Sequence, residues 1–573
     1  MKYSGSPVSS GIACGEVYIY QPFKPQIEEV TIQKHQVEDY CKQYLGIKEQ
    51  AKQELEAIQA GLGAEDPEKA KIFRAHIDIL FDEAMDEDIV ECISCDLISP
   101  ETAIHTVYEK YIRMLSRAKD PLIRERAADL QDVRSRLLRV WFGVPEKNLA
   151  KLDRPVIVVA HDLFPSDTAT LDRKNVLAIV TEIGGATSHS AIIAKSYEIP
   201  ALLGVPDIMS VLKEGETIIV DAIKGELFTQ PDAEQLAAYG KKREAHLAHA
   251  AEVKKFKYVA PVTKDGTKIE VELNIGSSSP TELAGADCTD GVGLFRSEFL
   301  YMGRPQLPSE EEQVAVYSTA LNTFGDRPVI LRTLDIGGDK KLESMQLPQE
   351  DNPFLGLRAL RLCFENLPVF KTQLRAALRA GVQGNLWVMF PMVGSIDDIR
   401  GAKEVVQQVK EELAAEGLPF NPDVKLGIMV EIPSIAMVAD MAAKEADFAS
   451  VGTNDLCQYL TAVDRLNPSV SKYYQSYHPA MFRLIGQVIS AFGAEGKPVG
   501  VCGEMGGDPL AAAVLIGLGM RQLSMGIASV PGIKKLITGI TIRQAEAIAQ
   551  KVCSLSTAAE VTAYLKEELK EIL

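Results

Sequence analysis

The spacing of apolar residues changes character several times along the chain. Residues 1–20 alternate around glycines, and Val17-Tyr18-Ile19-Tyr20 reads as a strand. From Ile32 to Gly143 proline and glycine almost disappear and apolar positions recur at helical spacing. This pattern predicts several antiparallel helices, among them Pro67 to Leu80, Pro100 to Leu115 and Ile123 to Val140. After Pro145 short apolar runs return at Val156–Ala160, Val176–Val180 and Thr217–Asp221. They fit strands of a small β/α domain that the first 20 residues complete, which makes the helical block an insertion. A charged, alanine-rich stretch from Asp232 to Phe256 without a tight apolar face predicts a long connecting helix.

Beyond Pro261, eight apolar runs alternate with helical patterns: Ile269–Ile275, Gly291–Phe295, Val329–Leu334, Leu386–Pro391, Leu426–Val430, Phe448–Gly452, Val499–Cys502 and Gln522–Met525. Eight is the number that closes a (β/α)8 barrel, and about 310 residues falls within that fold's size range, with a doubly wound open sheet as the alternative. The expected class is therefore a multidomain α/β protein. Its parts are a β/α domain over 1–20 plus 145–230, an all-α subdomain over 21–144, a linker helix over 231–260 and a barrel over 261–573.

At 573 residues with 46% apolar and 24% charged content, the chain has ordinary globular composition. No apolar run approaches the roughly 18 residues of a membrane helix. The first residues lack the basic-then-apolar pattern of a secretory signal, so a cytoplasmic protein without membrane insertion is expected. The nine scattered cysteines predict reduced thiols, and the lone Cys92-Ile93-Ser94-Cys95 has no second half-site for zinc. A formal net charge of −18 argues against nucleic acid as a partner. It suits a small anion held by a few local arginines, or a protein partner with a basic face.

A barrel places its active site at the C-terminal ends of its strands. The residues just after the eight runs form a strongly polar ring: Asn274, Arg296, Arg332, Glu431, Asn454 with Asp455, and Cys502 near Glu504, with Arg358 and Arg465 slightly downstream. Two carboxylates, Glu431 and Asp455, suit Mg²⁺, which keeps waters and shares oxygens with a bound anion. Arginine forks match carboxylate and phosphate oxygens, so a small phosphorylated carboxylic acid is the implied ligand. Cys502 is either a proton-donating thiol or a small buried hydrophobe. Upstream, Gly184-Gly185-Ala186-Thr187-Ser188-His189-Ser190 runs a glycine turn into a helix start, capped by Thr187 or Ser188. That arrangement either favours a phosphoryl group on His189 or is an ordinary capped helix.

In their order along the chain, these motifs closely resemble those of the enzyme I family of the bacterial phosphoenolpyruvate-dependent sugar phosphotransferase system. The resemblance runs end to end and rests on Ser9-Ser10-Gly11-Ile12-Ala13, Glu125-Arg126-Ala127-Ala128-Asp129, Gly184 to His189, Gly293 to Leu300, Arg332 to Lys340, Asn352 to Arg358, Gly452 to Leu456, and Cys502-Gly503-Glu504. It implies that His189 is phosphorylated on Nε2 by phosphoenolpyruvate and passes the group to a histidine of a small phosphocarrier protein docked on the helical insertion. It further implies Mg²⁺ on Glu431 and Asp455, and phosphoenolpyruvate on Arg296, Arg332, Asn454 and Arg465, with Asp455 and Arg358 counted in the same binding set. Cys502 becomes the proton donor to the enolate, and the barrel a dimerisation domain.

Two departures stand out. The family usually has arginine where this chain has Ala186 and Lys195, which weakens the expected hold on a phosphorylated histidine or shifts the choice of carrier. His76, on the Pro67 to Leu80 helix, matches a family position and is expected to be structural or interfacial. A regulatory paralogue that senses phosphoenolpyruvate without catalysis is the rival reading, and the retained histidine, carboxylates and cysteine argue against it.

Overall fold

The computed structural model describes residues 1–21, 23, 27, 30–62, 67–116, 121–144, 149, 152–163, 167–168, 171–185, 188–302, 304, 306–338, 340, 342, 344–345, 347–348 and 350–573. The chain divides into two compact units, Met1–His249 and Ala250–Leu573, each considered by itself.

The first unit is built on an eight-stranded sheet of β1 (Lys2–Ser4), β2 (Ser6–Ser9), β3 (Ile12–Tyr20), β4 (Val156–Ala160), β5 (Val176–Thr181), β6 (Ala201–Leu203), β7 (Thr217–Asp221) and β8 (Glu226–Thr229). The strand order is β1-β8-β7-β3-β4-β5-β6-β2. Strands β3 to β6 pair in parallel, and β7 joins the other side of β3 antiparallel. Every residue of β4 is buried, which explains its unbroken run Val156-Ile157-Val158-Val159-Ala160. The predicted strands of this domain are all present. β1, β2, β6 and β8 escaped the sequence reading because runs of three or four residues carry too little periodicity.

Between β3 and β4 the described residues form five α-helices: α1 (Val37–Leu62), α2 (Pro67–Leu80), α3 (Glu83–Ser94), α4 (Pro100–Ser116) and α5 (Pro121–Trp141). Prolines open α2, α4 and α5 at the first helical position, where a missing N–H costs nothing. Their inward faces share one core that includes Tyr44, Leu55, Phe73, Ile104 and Leu137. His76 of α2 is buried, with Nε2 3.4 Å from Asp129 Oδ1 and Nδ1 3.8 Å from Asp132 Oδ2. The expected connecting helix spans Ala233–Lys254, and Tyr239 is its one buried residue, as its lack of an apolar face implied.

The second unit is a closed, all-parallel barrel of β9 (Glu270–Ile275), β10 (Val292–Arg296), β11 (Val329–Arg332), β12 (Leu386–Phe390), β13 (Lys425–Val430), β14 (Ala449–Val451), β15 (Val499–Val501) and β16 (Gln522–Met525). All eight predicted runs form strands, and β16 pairs with β9 to close the ring, so the open-sheet alternative falls. Outward-facing residues such as Val271, Leu273, Val292 and Leu331 pack against the surrounding helices in the largest core. Inside, one sector is apolar, with Leu294, Ile330, Trp387, Met389, Met429 and Phe448 clustered around Cys502. The opposite sector, on β9 and β16, is polar: Gln522 Nε2 donates to Glu270 Oε2 at 2.8 Å, and Ser524 Oγ donates to Asn274 Oδ1 at 2.5 Å. No described helix is long and apolar enough to cross a membrane.

Candidate active site

At the C-terminal ends of the barrel strands a cavity of about 750 Å³ opens. Its lining includes Asn274, Arg296, Arg332, Glu431, Asn454, Asp455, Arg465, Cys502 and Glu504, so nearly the whole expected ring converges on one space. Arg358 does not line it. That side chain is buried behind the wall, where Nη2 lies 3.0 Å from Asp335 Oδ1 and 3.5 Å from Asp455 Oδ2, and Nη1 donates to Tyr459 Oη at 3.1 Å.

The positive groups are held by carboxylates that the sequence reading left without a role. Arg332 is buried at the end of β11, with Nη2 2.5 Å from Glu298 Oε1 and 3.1 Å from Asp335 Oδ2. Lys340 Nζ reaches the same two acids, at 2.8 and 3.1 Å. Burial alone would raise the pKa of Asp335, but Arg332, Lys340 and Arg358 outweigh it and hold the carboxyl well below the usual range. Glu298 is likewise held low, by Arg332 and Lys340 against its burial. A signal for these partners existed: Glu298 and Asp335 follow Arg296 and Arg332 by two and three residues, at the same rim. The Nε atoms of Arg296 and Arg332 are buried without a hydrogen-bond partner, as donors awaiting an anion would be.

Glu431 and Asp455 present the opposite imbalance. Glu431 is buried at the end of β13, and burial together with Asp455 and Asp335 pushes its carboxyl up to about 8. Its Oε1 accepts from the Met392 N–H at 2.6 Å. Asp455 Oδ1 is buried without a hydrogen bond, its nearest cation being Arg465 Nη1 at 3.6 Å. Gly452 leaves room beside Glu431: a Cβ there would stand 2.8 Å from Glu431 Oε2. Two crowded carboxylates, one with an orphan oxygen, fit a hard divalent cation that completes its shell with water and ligand oxygens. Among the described residues no group of three His, Cys, Asp or Glu is placed to hold a metal ion.

Cys502 follows β15. Its backbone N–H and its thiol both donate to Val451 O, at 3.2 and 3.7 Å, and burial pushes the thiol up to about 11. It therefore stays protonated at neutral pH, as a proton donor must. Asn454 uses its side-chain Oδ1 to accept from the Glu504 N–H at 3.2 Å.

In the first unit, Ser188 is the helix cap. Its side chain accepts from the Ala191 N–H at 3.3 Å, and His189 is the first residue of the helix His189–Ser196. Gly184 has φ +109°, a conformation that favours glycine, so the turn before the helix depends on it. Lys195 is exposed in the last turn, whereas Ala186, Thr187 and the side chain of His189 lie outside the described residues.

Comparison with known proteins bears on this arrangement. Residues 250–542 match the family described as PEP-utilising enzyme, PEP-binding domain; residues 152–225 match its mobile domain and residues 4–126 its N-terminal part. A phosphoenolpyruvate-protein phosphotransferase from Geobacillus stearothermophilus is 43% identical over 98% of this chain and 97% of its own length. One from Bacillus subtilis is 42% identical over 99% of both. A solution structure titled Enzyme I (nEIt) covers 43% of this chain and 99% of its own, at 35% identity and a TM-score of 0.39.

Proposed function

This chain belongs to the enzyme I family of phosphoenolpyruvate-protein phosphotransferases, and from that membership we propose that it moves a phosphoryl group from phosphoenolpyruvate through His189 to a histidine of a small phosphocarrier protein. The observation that carries this reading is the convergence of arginines, two crowded carboxylates and a protonated thiol on one cavity at the barrel mouth.

Arg296, Arg332 and Arg465 present planar forks that bind the phosphate oxygens and take up charge as the group departs. Asn454 orients the carboxylate end. Arg358, engaged by Asp335 and Asp455, acts by holding those carboxylates in place. Enzymes of this family require a divalent metal, and here Glu431 and Asp455 would hold Mg²⁺, which would neutralise ligand oxygens as a Lewis acid. His189, at the start of its helix, attacks phosphorus as the neutral imidazole, and the helix N-terminus favours the resulting phosphoryl group. The Cys502 thiol then gives its proton to C3 of the departing enolate, forming pyruvate.

The same reading makes the protein a cytoplasmic homodimer joined through the barrel. Residues 1–20 plus 145–230 then serve as a swivelling carrier of His189, and 21–144 as the phosphocarrier dock. Incubation with ³²P-phosphoenolpyruvate and Mg²⁺ should give acid-labile label that a phosphocarrier discharges and a chelator prevents. Label undiminished in His189→Ala would overturn the assignment. A disulfide clamping the β/α domain to the barrel that left both half-reactions at full rate would overturn the swivel.

A further inference from the structure

Beneath the cavity, the polar sector of the barrel interior ends in a hydrogen-bonded chain that the proposed chemistry leaves unused. Asn274, on β9, donates from Nδ2 to the carbonyl oxygen of Cys502 at 3.0 Å. Ser524, on β16 and fully buried, donates its hydroxyl to Asn274 Oδ1 at 2.5 Å. The polarity of the chain is forced: a carbonyl can only accept, so the NH₂ of Asn274 faces Cys502, and its oxygen is left for the Ser524 proton.

Cys502 is thereby tied on both sides. Its N–H is bonded to Val451 of β14 and its C=O to Asn274, and the next residue, Gly503, packs so closely on Thr453 that a Cβ would stand 2.7 Å from the Thr453 nitrogen. β15 itself ends at Val501, so no strand pairing holds the Cys502 carbonyl, and the Asn274 amide takes that place. A thiol whose Cα–Cβ direction is set by two flanking peptide bonds points where those peptides are anchored.

We propose that Asn274, backed by Ser524, is a positioning residue that aims the Cys502 thiol at the carbon it protonates. The proposal rests on the reading of Cys502 as proton donor. In that step the S–H bond breaks, a C–H bond forms at C3 of the enolate, and the resulting thiolate regains a proton from solvent water. Losing the amide frees the peptide after Cys502 to rotate. A displacement of about 1 Å at a reacting group lowers a rate by up to roughly a hundredfold, without weakening the binding of the substrate.

The test uses the full chain with Mg²⁺. Exchange of the pyruvate methyl protons in D₂O, followed by NMR, reports proton transfer at C3 without phosphoryl transfer. Asn274→Ala should slow this exchange, and kcat with phosphoenolpyruvate, by about ten- to a hundredfold, with KM for phosphoenolpyruvate nearly unchanged. Ser524→Ala should move both in the same direction by a smaller factor. It retains the Asn274 amide, and it carries the test if Asn274→Ala does not fold. Exchange at the unaltered rate in both variants, or a rise in KM with kcat intact, would overturn the positioning role. Cys502→Ala separates the two levels: exchange persisting there would remove the donor assignment itself, whereas its loss there together with wild-type exchange in the Asn274 and Ser524 variants would remove only the present proposal.

Discussion

Glu272 sits inside the barrel on β9, fully buried, with Oε1 lacking any hydrogen-bond partner. Burial, then the charges of Glu270 and Asp290, raise its carboxyl from the usual 4.5 to about 8. The folded protein therefore keeps Glu272 protonated at pH 7, whereas the unfolded chain releases that proton above pH 4.5. A raised carboxyl supports the fold fully below its unfolded pKa, and that support drains away as pH climbs towards 8. At about 1.4 kcal/mol per unit, the loss is under about 1 kcal/mol at pH 5, about 3 at pH 7 and about 5 once pH passes 8. Glu272→Gln keeps the shape and cannot ionise, so its stability relative to the parent should rise by about 2 to 3 kcal/mol between pH 5 and pH 7. Urea denaturation of the full chain in a Trp141→Phe background reads the barrel through Trp387, which lies in its interior cluster. A difference between Gln and Glu that stays constant from pH 5 to pH 7, or shrinks, would refute the reasoning.

Three further outcomes follow from the site. Glu298→Ala removes the carboxylate closest to the buried Arg332 guanidinium and should cost about 3 kcal/mol of barrel stability in the same denaturation, with slower phosphorylation by phosphoenolpyruvate. Gly452→Ala suits its backbone, φ −83° and ψ 79°, but places a methyl against Glu431. Calorimetric titration should show divalent-cation affinity reduced at least about tenfold, equivalent to about 1.4 kcal/mol, in a protein that still folds. In His189→Ala, which cannot turn over, phosphoenolpyruvate and Mg²⁺ should each tighten the other's binding by the same factor; equal phosphoenolpyruvate affinity with and without chelator would contradict the shared site.

The barrel was readable because a strand covered on both faces appears as a continuous apolar run, as at Leu386-Trp387-Val388-Met389-Phe390. The ring of site residues was readable because barrel topology places whatever follows each run at one rim. The pairings were not. Glu298 and Lys340 are 42 residues apart and meet only because they follow the neighbouring strands β10 and β11, and Arg358 reaches Asp455 across 97 residues. β9 is the instructive case: Glu270-Val271-Glu272-Leu273-Asn274-Ile275 alternates like a strand with one wet face, yet that polar face lines the barrel interior. Periodicity reports which side is polar and is silent on whether water lies there. Of the two departures named from the sequence, Ala186 falls outside the described residues and Lys195 is exposed at the helix end.

On the proposed reading, the charge around the cavity would tie anion binding to the metal. Among the described residues lining it are six carboxylates, Glu298, Asp335, Glu431, Asp455, Glu504 and Asp508, against four cations, Arg296, Arg332, Lys340 and Arg465. Even with Glu431 protonated the acids outnumber the cations by one, which disfavours a phosphorylated carboxylic acid, and the best-placed cations are already engaged, Arg332 and Lys340 by Glu298 and Asp335. A divalent cation on Glu431 and Asp455 would displace the proton that burial keeps on Glu431, offset the excess of two negative charges that the six ionised carboxylates then carry, and draw Asp455 away from Arg465, freeing guanidinium N–H groups for phosphate oxygens. On the proposed reading Asp455 would act as a placeholder that keeps Arg465 aimed while no anion is bound, and it would cost the least to displace where the metal takes it over.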